Sequence, residues 1–145
     1  MIRVVVDPAS IEVEAELARL EANGAGGIAT FTGLVRADDG VEVLELEHYP
    51  GVTERALTML AEEARGRWLL NAATIVHRVG PMRPGERIVF VGTAAAHRAA
   101  ALEACAYLID RLKTDAPFWK RETRKGESRW VDQREGDLKS AARWD

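Results

Sequence analysis

Lys113-Thr-Asp-Ala-Pro-Phe-Trp-Lys-Arg-Glu-Thr-Arg-Lys-Gly-Glu-Ser-Arg-Trp-Val131 is the stretch on which the reading of the fold turns. Its first residues end a helix, and Pro117 cannot continue one. Phe118–Arg124 and Ser128–Val131 then read as strands around Lys125-Gly126-Glu127, a hairpin signal. Hairpin strands pair antiparallel, whereas a doubly wound sheet needs a helical crossover between parallel strands. The chain end therefore argues for an α+β arrangement.

Upstream, the pattern supplies the remaining elements. Ile2 to Val6, Gly26 to Val35, Val41 to Tyr49, Ala73 to Val79 and Arg87 to Thr93 are rich in β-branched or alternating apolar residues and predict strands. Asp7-Pro8 is expected to open a helix whose buried stripe is Val13, Leu17 and Leu20. Thr53 is expected to cap a second helix, with Leu57, Leu60, Ala61, Ala64 and Trp68 along one face. A third runs from His97 to about Lys113, its buried face marked by Leu102, Cys105, Ala106, Ile109 and Leu112. Gly80-Pro-Met-Arg-Pro-Gly85 reads as a stiff turn, and Gly24-Ala-Gly-Gly27 as another. The latter precedes a strand and does not join strand to helix, which is wrong for cradling phosphate. Trp144 suggests an anchor in an otherwise polar tail.

At 145 residues the chain is expected to form one domain, 1–145, with a true core. A net charge of −3 argues against wholesale nucleic-acid or membrane binding. No run is long enough to span a bilayer, and the start lacks the flanks of a signal peptide. A single cysteine, Cys105, excludes an internal disulfide and fits a reducing compartment, so the cytoplasm is expected. Cys105 itself reads as a small buried hydrophobe. His48, His77 and His97 lack metal-ligand spacing, and no metal site is expected; His48 and His77 read as structural strand residues.

Chemistry gathers around Lys113 and Lys120. Alternation puts Phe118, Lys120 and Glu122 on one strand face and Trp119 and Arg121 on the other, so the cationic neighbour of Lys120 is Lys113. Two like charges about 6 Å apart at an effective dielectric of about 20 repel by roughly 2.8 kcal/mol. That is roughly two pKa units, which favours an amine able to act as nucleophile or base. Solvated lysines at a helix end and on a strand remain the alternative reading. His97-Arg98 opens a helix, where free N–H groups and the dipole favour an anion.

These residues occur within longer blocks: Phe31-Thr-Gly-Leu-Val-Arg36, Leu46-Glu-His-Tyr-Pro-Gly51, Ile88-Val-Phe-Val-Gly92, Ala96-His-Arg98, Tyr107 to Lys113, Ala116-Pro-Phe-Trp-Lys-Arg-Glu122 and Trp130-Val131. Together they resemble the large, catalytic subunit of molybdopterin synthase, nearly end to end. The resemblance implies an α+β fold of the hammerhead type with an added antiparallel β subdomain. It implies a sulfurtransferase that converts cyclic pyranopterin monophosphate to molybdopterin, the precursor of the molybdenum cofactor. The sulfur comes from the C-terminal thiocarboxylate of a small ubiquitin-like subunit ending in Gly-Gly. It implies a homodimer within a heterotetramer, and no metal or other cofactor for this step. By position Lys113 and Lys120 correspond to the catalytic lysines. Arg36, His97 and Arg98 correspond to the anion- and pterin-binding set, and Arg134 to a contribution across the dimer. The rival expectation is a non-catalytic module that captures the C-terminal tail of a partner protein. A nucleic-acid-binding domain using the Arg111 to Arg134 patch ranks lower, given the interspersed acids.

Overall fold

The structure, a computed structural model, describes residues 1–37, 40–131, 142 and 144. Its elements in chain order are β1 (Ile2–Asp7), α1 (Val13–Glu21), β2 (Gly27–Leu34), β3 (Val43–His48), α2 (Val52–Trp68), β4 (Ala72–Arg78), β5 (Gly80–Met82), β6 (Arg87–Ala95), α3 (Arg98–Asp115), β7 (Phe118–Arg124) and β8 (Glu127–Val131). The strands form two four-stranded sheets, ordered β1-β4-β6-β2 and β5-β3-β7-β8. Among the described residues only β1 and β4 pair in parallel; every other pair is antiparallel. The α+β expectation holds, and the second sheet is antiparallel throughout its described pairs.

Period-two alternation divides the first sheet's side chains between two cores. Ala73, Ile75, Val89 and Val91 face α2 and α3, meeting Leu57, Leu60, Ala61, Leu108 and Leu112. Ala72, Val76, Phe90 and Ala94 face the other way, with Ile11 and Leu20 beside them. A third cluster, Val35, Leu46, Val79 and Met82, joins the two sheets. A fully buried side chain such as Leu57 or Phe90 contributes on the order of 1.5–3 kcal/mol by leaving water.

Several local expectations need correction. Asp7 does not cap α1: its Oδ1 accepts the Ala9 N–H at 2.6 Å, closing a local turn, and the helix starts only at Val13. Leu17 is 37% exposed and Leu102 60%, so neither belongs to the core; the buried face of α3 is Ala101, Ala104, Cys105, Tyr107, Leu108 and Leu112. Gly80–Met82 is no mere turn but strand β5, whose residues pair with Leu44, Glu45 and Leu46. Gly51 occupies the N-cap of α2. Thr53 lies inside the first turn and ties the helix to its surroundings. Its hydroxyl accepts the Tyr49 N–H at 2.9 Å and donates to the Pro117 carbonyl at 3.0 Å.

Other expectations stand. The β7–β8 hairpin turns through Lys125 and Gly126, both at positive φ, as a two-residue hairpin turn requires. Trp144 is an anchor: its ring meets Trp68 and Tyr107 edge-on, and its Nε1 donates to Asp110 Oδ2 at 2.7 Å. Cys105 is buried, its thiol pushed up to about 11 by burial, as suits a core residue.

Candidate active site

Helix α3 ends because Pro117 follows it. Ala116, the residue before proline, takes an extended conformation (φ −85°, ψ 128°), and the chain turns straight into β7. Lys113 sits in the last turn of α3, where the helix dipole favours a cation. Lys120 is the third residue of β7, on the face shared by Phe118, Glu122 and Arg124. The turn is clamped from outside by the Thr53 hydroxyl on the Pro117 carbonyl. Helix end and strand start are thus fixed relative to each other, and their lysines with them.

Both lysines line a cavity of about 440 Å³ between the two sheets. Leu44, Leu46, Ile88 and Leu112 give it apolar walls, while Arg36, Lys113, Lys120 and Arg124 bring positive charge. Arg36 follows the end of β2, where the Val35 N–H donates to the Glu86 carbonyl and the Val35 carbonyl accepts from Gly85. Glu122, also in the wall, pairs with Arg124 at 2.9 Å. Arg121 points away, as alternation requires. It pairs with Glu45 across the strand and lies 5.5 Å from the Trp130 ring centroid.

The structure therefore brings Arg36, Lys113 and Lys120 to one cavity and leaves His97 and Arg98 elsewhere. Those two are exposed at the N-terminal end of α3, outside the cavity lining. At 1.5 Å per residue His97 is about 24 Å along the helix from Lys113. Gly26 and Gly27 run close beside them: a Cβ on Gly26 would lie 2.2 Å from the Ala96 carbonyl oxygen, and one on Gly27 3.2 Å from Arg98 Cα. These glycines allow two main-chain segments to touch, which goes beyond the turn expected of them. Arg134 lies outside the described residues.

One cavity residue is not marked by the sequence pattern. His77, on β4, is buried and stacks on Phe118 with ring centroids 4.1 Å apart. Its strand is buried throughout, so nothing in the spacing marks it as more than a core histidine. The signal needed is tertiary: β4 and β7 belong to different sheets, and only the packing of one sheet against the other brings His77 to Phe118.

A cationic cavity with apolar walls suits an anionic organic molecule, and comparison with known proteins narrows the choice. Residues 6–115 match the family model described as MoaE protein. The molybdopterin synthase catalytic subunit of Escherichia coli K12 is 48% identical over 146 residues, covering 98% of this chain and 97% of its own. The chain belongs to the MoaE family, the catalytic subunits of molybdopterin synthase. Solved family structures agree. Molybdopterin cofactor biosynthesis protein E from Burkholderia multivorans superposes with a TM-score of 0.86 at 47% identity, covering 99% of this chain and 97% of its own. Molybdopterin synthase from Staphylococcus aureus gives 0.75 at 31% identity, with 90% and 96% covered. Membership extends to enzyme class and to a role in molybdopterin biosynthesis. No helix among the described residues is long and apolar enough to cross a membrane.

Proposed function

We propose that this chain transfers sulfur from the C-terminal thiocarboxylate of a small ubiquitin-like subunit to cyclic pyranopterin monophosphate, forming the dithiolene of molybdopterin. The observation that carries this reading is the joining of Lys113, Lys120 and Arg36 in one cavity between the sheets. Each transfer breaks the carbon–sulfur bond of the thiocarboxylate, whose acyl carbon takes an oxygen from water and leaves the carrier as a carboxylate. The new carbon–sulfur bond on the pterin side chain replaces a carbon–oxygen bond, at one carbon that of the phosphate ester. Negative charge is carried by both reactants, so fixed cations serve twice: they bind the reactants together and stabilise charge as it moves. Lys113 would contact the donor terminus and the substrate directly. Lys120 would assist as acid/base or electrostatic stabiliser, and Arg36 would hold the phosphate.

His97 and Arg98 cannot reach this cavity along a straight helix of their own chain. Their part in binding is therefore assigned to a second copy, in a homodimer that carries one small subunit on each large one. Arg134, outside the described residues, keeps the part across the dimer that the family resemblance implies, and the assembly is expected in the cytoplasm.

Reconstitution tests the reading: the chain, a thiocarboxylated Gly-Gly carrier and the pyranopterin should yield dithiolene product. Lys113→Ala should abolish product while thermal unfolding stays unchanged. Full turnover by that variant would remove Lys113 from its assigned role. Capture of the carrier tail without sulfur incorporation by the wild type would favour a binding module.

A further inference from the structure

The cavity contains a titratable side chain to which the sulfur-transfer reading gives no role. His77 is 6% exposed, its ring plane held by the stack on Phe118 at an interplanar angle of 23°. Its Nδ1 lies 2.9 Å from the Arg78 carbonyl oxygen. A carbonyl only accepts, so Nδ1 carries the hydrogen and Nε2 keeps its lone pair. Burial holds the ring neutral, its pKa lowered to about 4, and the charges of Lys113 on α3, Lys120 on β7 and His48 on β3 act in the same direction. The main-chain bond opposes this without overcoming it.

Beside this ring the cavity wall is rich in donors. Arg36, Lys113, Lys120 and Arg124 have hydrogens to give and no lone pair to offer. Such a wall recognises an anionic group, but a heterocycle also carries N–H or O–H donors that must find an acceptor when water is excluded. A carboxylate acceptor is drawn into ion pairs with the surrounding cations, as Glu122 is with Arg124. A neutral imidazole accepts without cancelling the positive field.

We propose that His77 is a further substrate-contacting residue: its Nε2 faces the cavity and accepts a hydrogen bond from an N–H or O–H of the substrate's ring system, while the cations hold the anionic end. The substrate's identity rests on the sulfur-transfer reading above; the acceptor role rests on the fixed tautomer and the ring's place in the wall.

Two substitutions separate acceptor from scaffold. His77→Asn retains an amide N–H for the Arg78 carbonyl and loses the acceptor at Nε2. His77→Gln extends an amide oxygen towards the Nε2 position. In the reconstituted reaction His77→Asn should lose about tenfold in kcat/KM for the pyranopterin, the worth of one hydrogen bond, with the KM for the carrier unchanged. His77→Gln should recover most of that loss. His77→Asn within twofold of the wild type, or equal losses in both variants, would overturn the assignment. A readout independent of the variants' folding is the ring-nitrogen resonance of His77 in the wild-type protein. It should show an unprotonated Nε2 whose signal moves when the pyranopterin is added; an unmoved signal would also overturn it. Wild type and Lys113→Ala run in parallel keep the two ideas apart. An inactive wild type defeats the sulfur-transfer reading. An active wild type, a dead Lys113→Ala and a fully active His77→Asn defeat only the role of His77.

Discussion

A histidine held neutral among cations leaves a mark on stability. The pKa of His77 is about 4 in the folded protein against 6.5 for the free side chain. Between those values the unfolded chain binds a proton that the native state refuses, so stability present above pH 6.5 is lost as pH falls towards 4. At pH 4.5 the loss amounts to roughly 2–3 kcal/mol. Urea unfolding at pH 7 and pH 4.5 should show it, and His77→Phe should shrink the difference by about that amount; an equal fall in both proteins would contradict it. At this scale the sequence is unevenly informative. Lys113 and Lys120 are legible because a helix end, a proline and a strand start lie within one short stretch, so local geometry alone brings them near each other. The outward turn of Arg121 follows from strand alternation. His77 is not legible, because its neighbours Lys113, Lys120 and Phe118 come from distant segments and only the tertiary fold assembles them.

Among elements, the approach of β2 to the β6–α3 connection is the tightest restriction. The Gly26 N–H donates to the Ala95 carbonyl at 3.0 Å, and the space for a Cβ is taken by the Ala96 carbonyl oxygen at 2.2 Å. Main chain cannot rotate aside as a side chain can. Gly26→Ala should therefore cost roughly 1–3 kcal/mol and lower the melting temperature. Gly66→Ala, in the open part of α2, should instead gain roughly 0.5–1 kcal/mol from helix propensity. Equal effects would show that close approach is not what Gly26 provides. Elements themselves are readable wherever a hydrophobic period persists, as in α2 and the central strands. The start of α1 is misjudged from sequence because Asp7 satisfies a turn as readily as a helix cap. The buried face of α3 is out of phase with the expectation at Leu102 because small residues, Ala101 and Ala104, face the core there. β5 is three residues long and contains a proline, so no periodicity can announce it.

Viewed whole, the described residues set the lysine-lined cavity at the seam of two sheets, and α3 runs away from it. The seam is formed by β2, β3, β4, β6 and β7 together with the last turn of α3. The antiparallel character of the second sheet is visible in the hairpin at Lys125-Gly126, since its turn chemistry is local. The joining of the sheets through Val35, Leu46, Val79 and Met82 is not, because these residues are far apart in the chain and each is an ordinary apolar residue.

The length of α3 has a genetic consequence. Since Lys113 and Arg98 stand at opposite ends of one rigid rod, a chain damaged at one end still carries a sound other end. Under the proposed pairing of two large subunits, Lys113→Ala and Arg98→Ala chains, each inactive by itself, should complement each other when unfolded together and refolded as a mixture. Random pairing makes half the dimers mixed, each with one undamaged site of two, so activity should return to about a quarter of the wild-type level. Activity that stays at the level of the separate variants would place both residues in the same copy's site, and an Arg98→Ala chain active by itself would remove Arg98 from it.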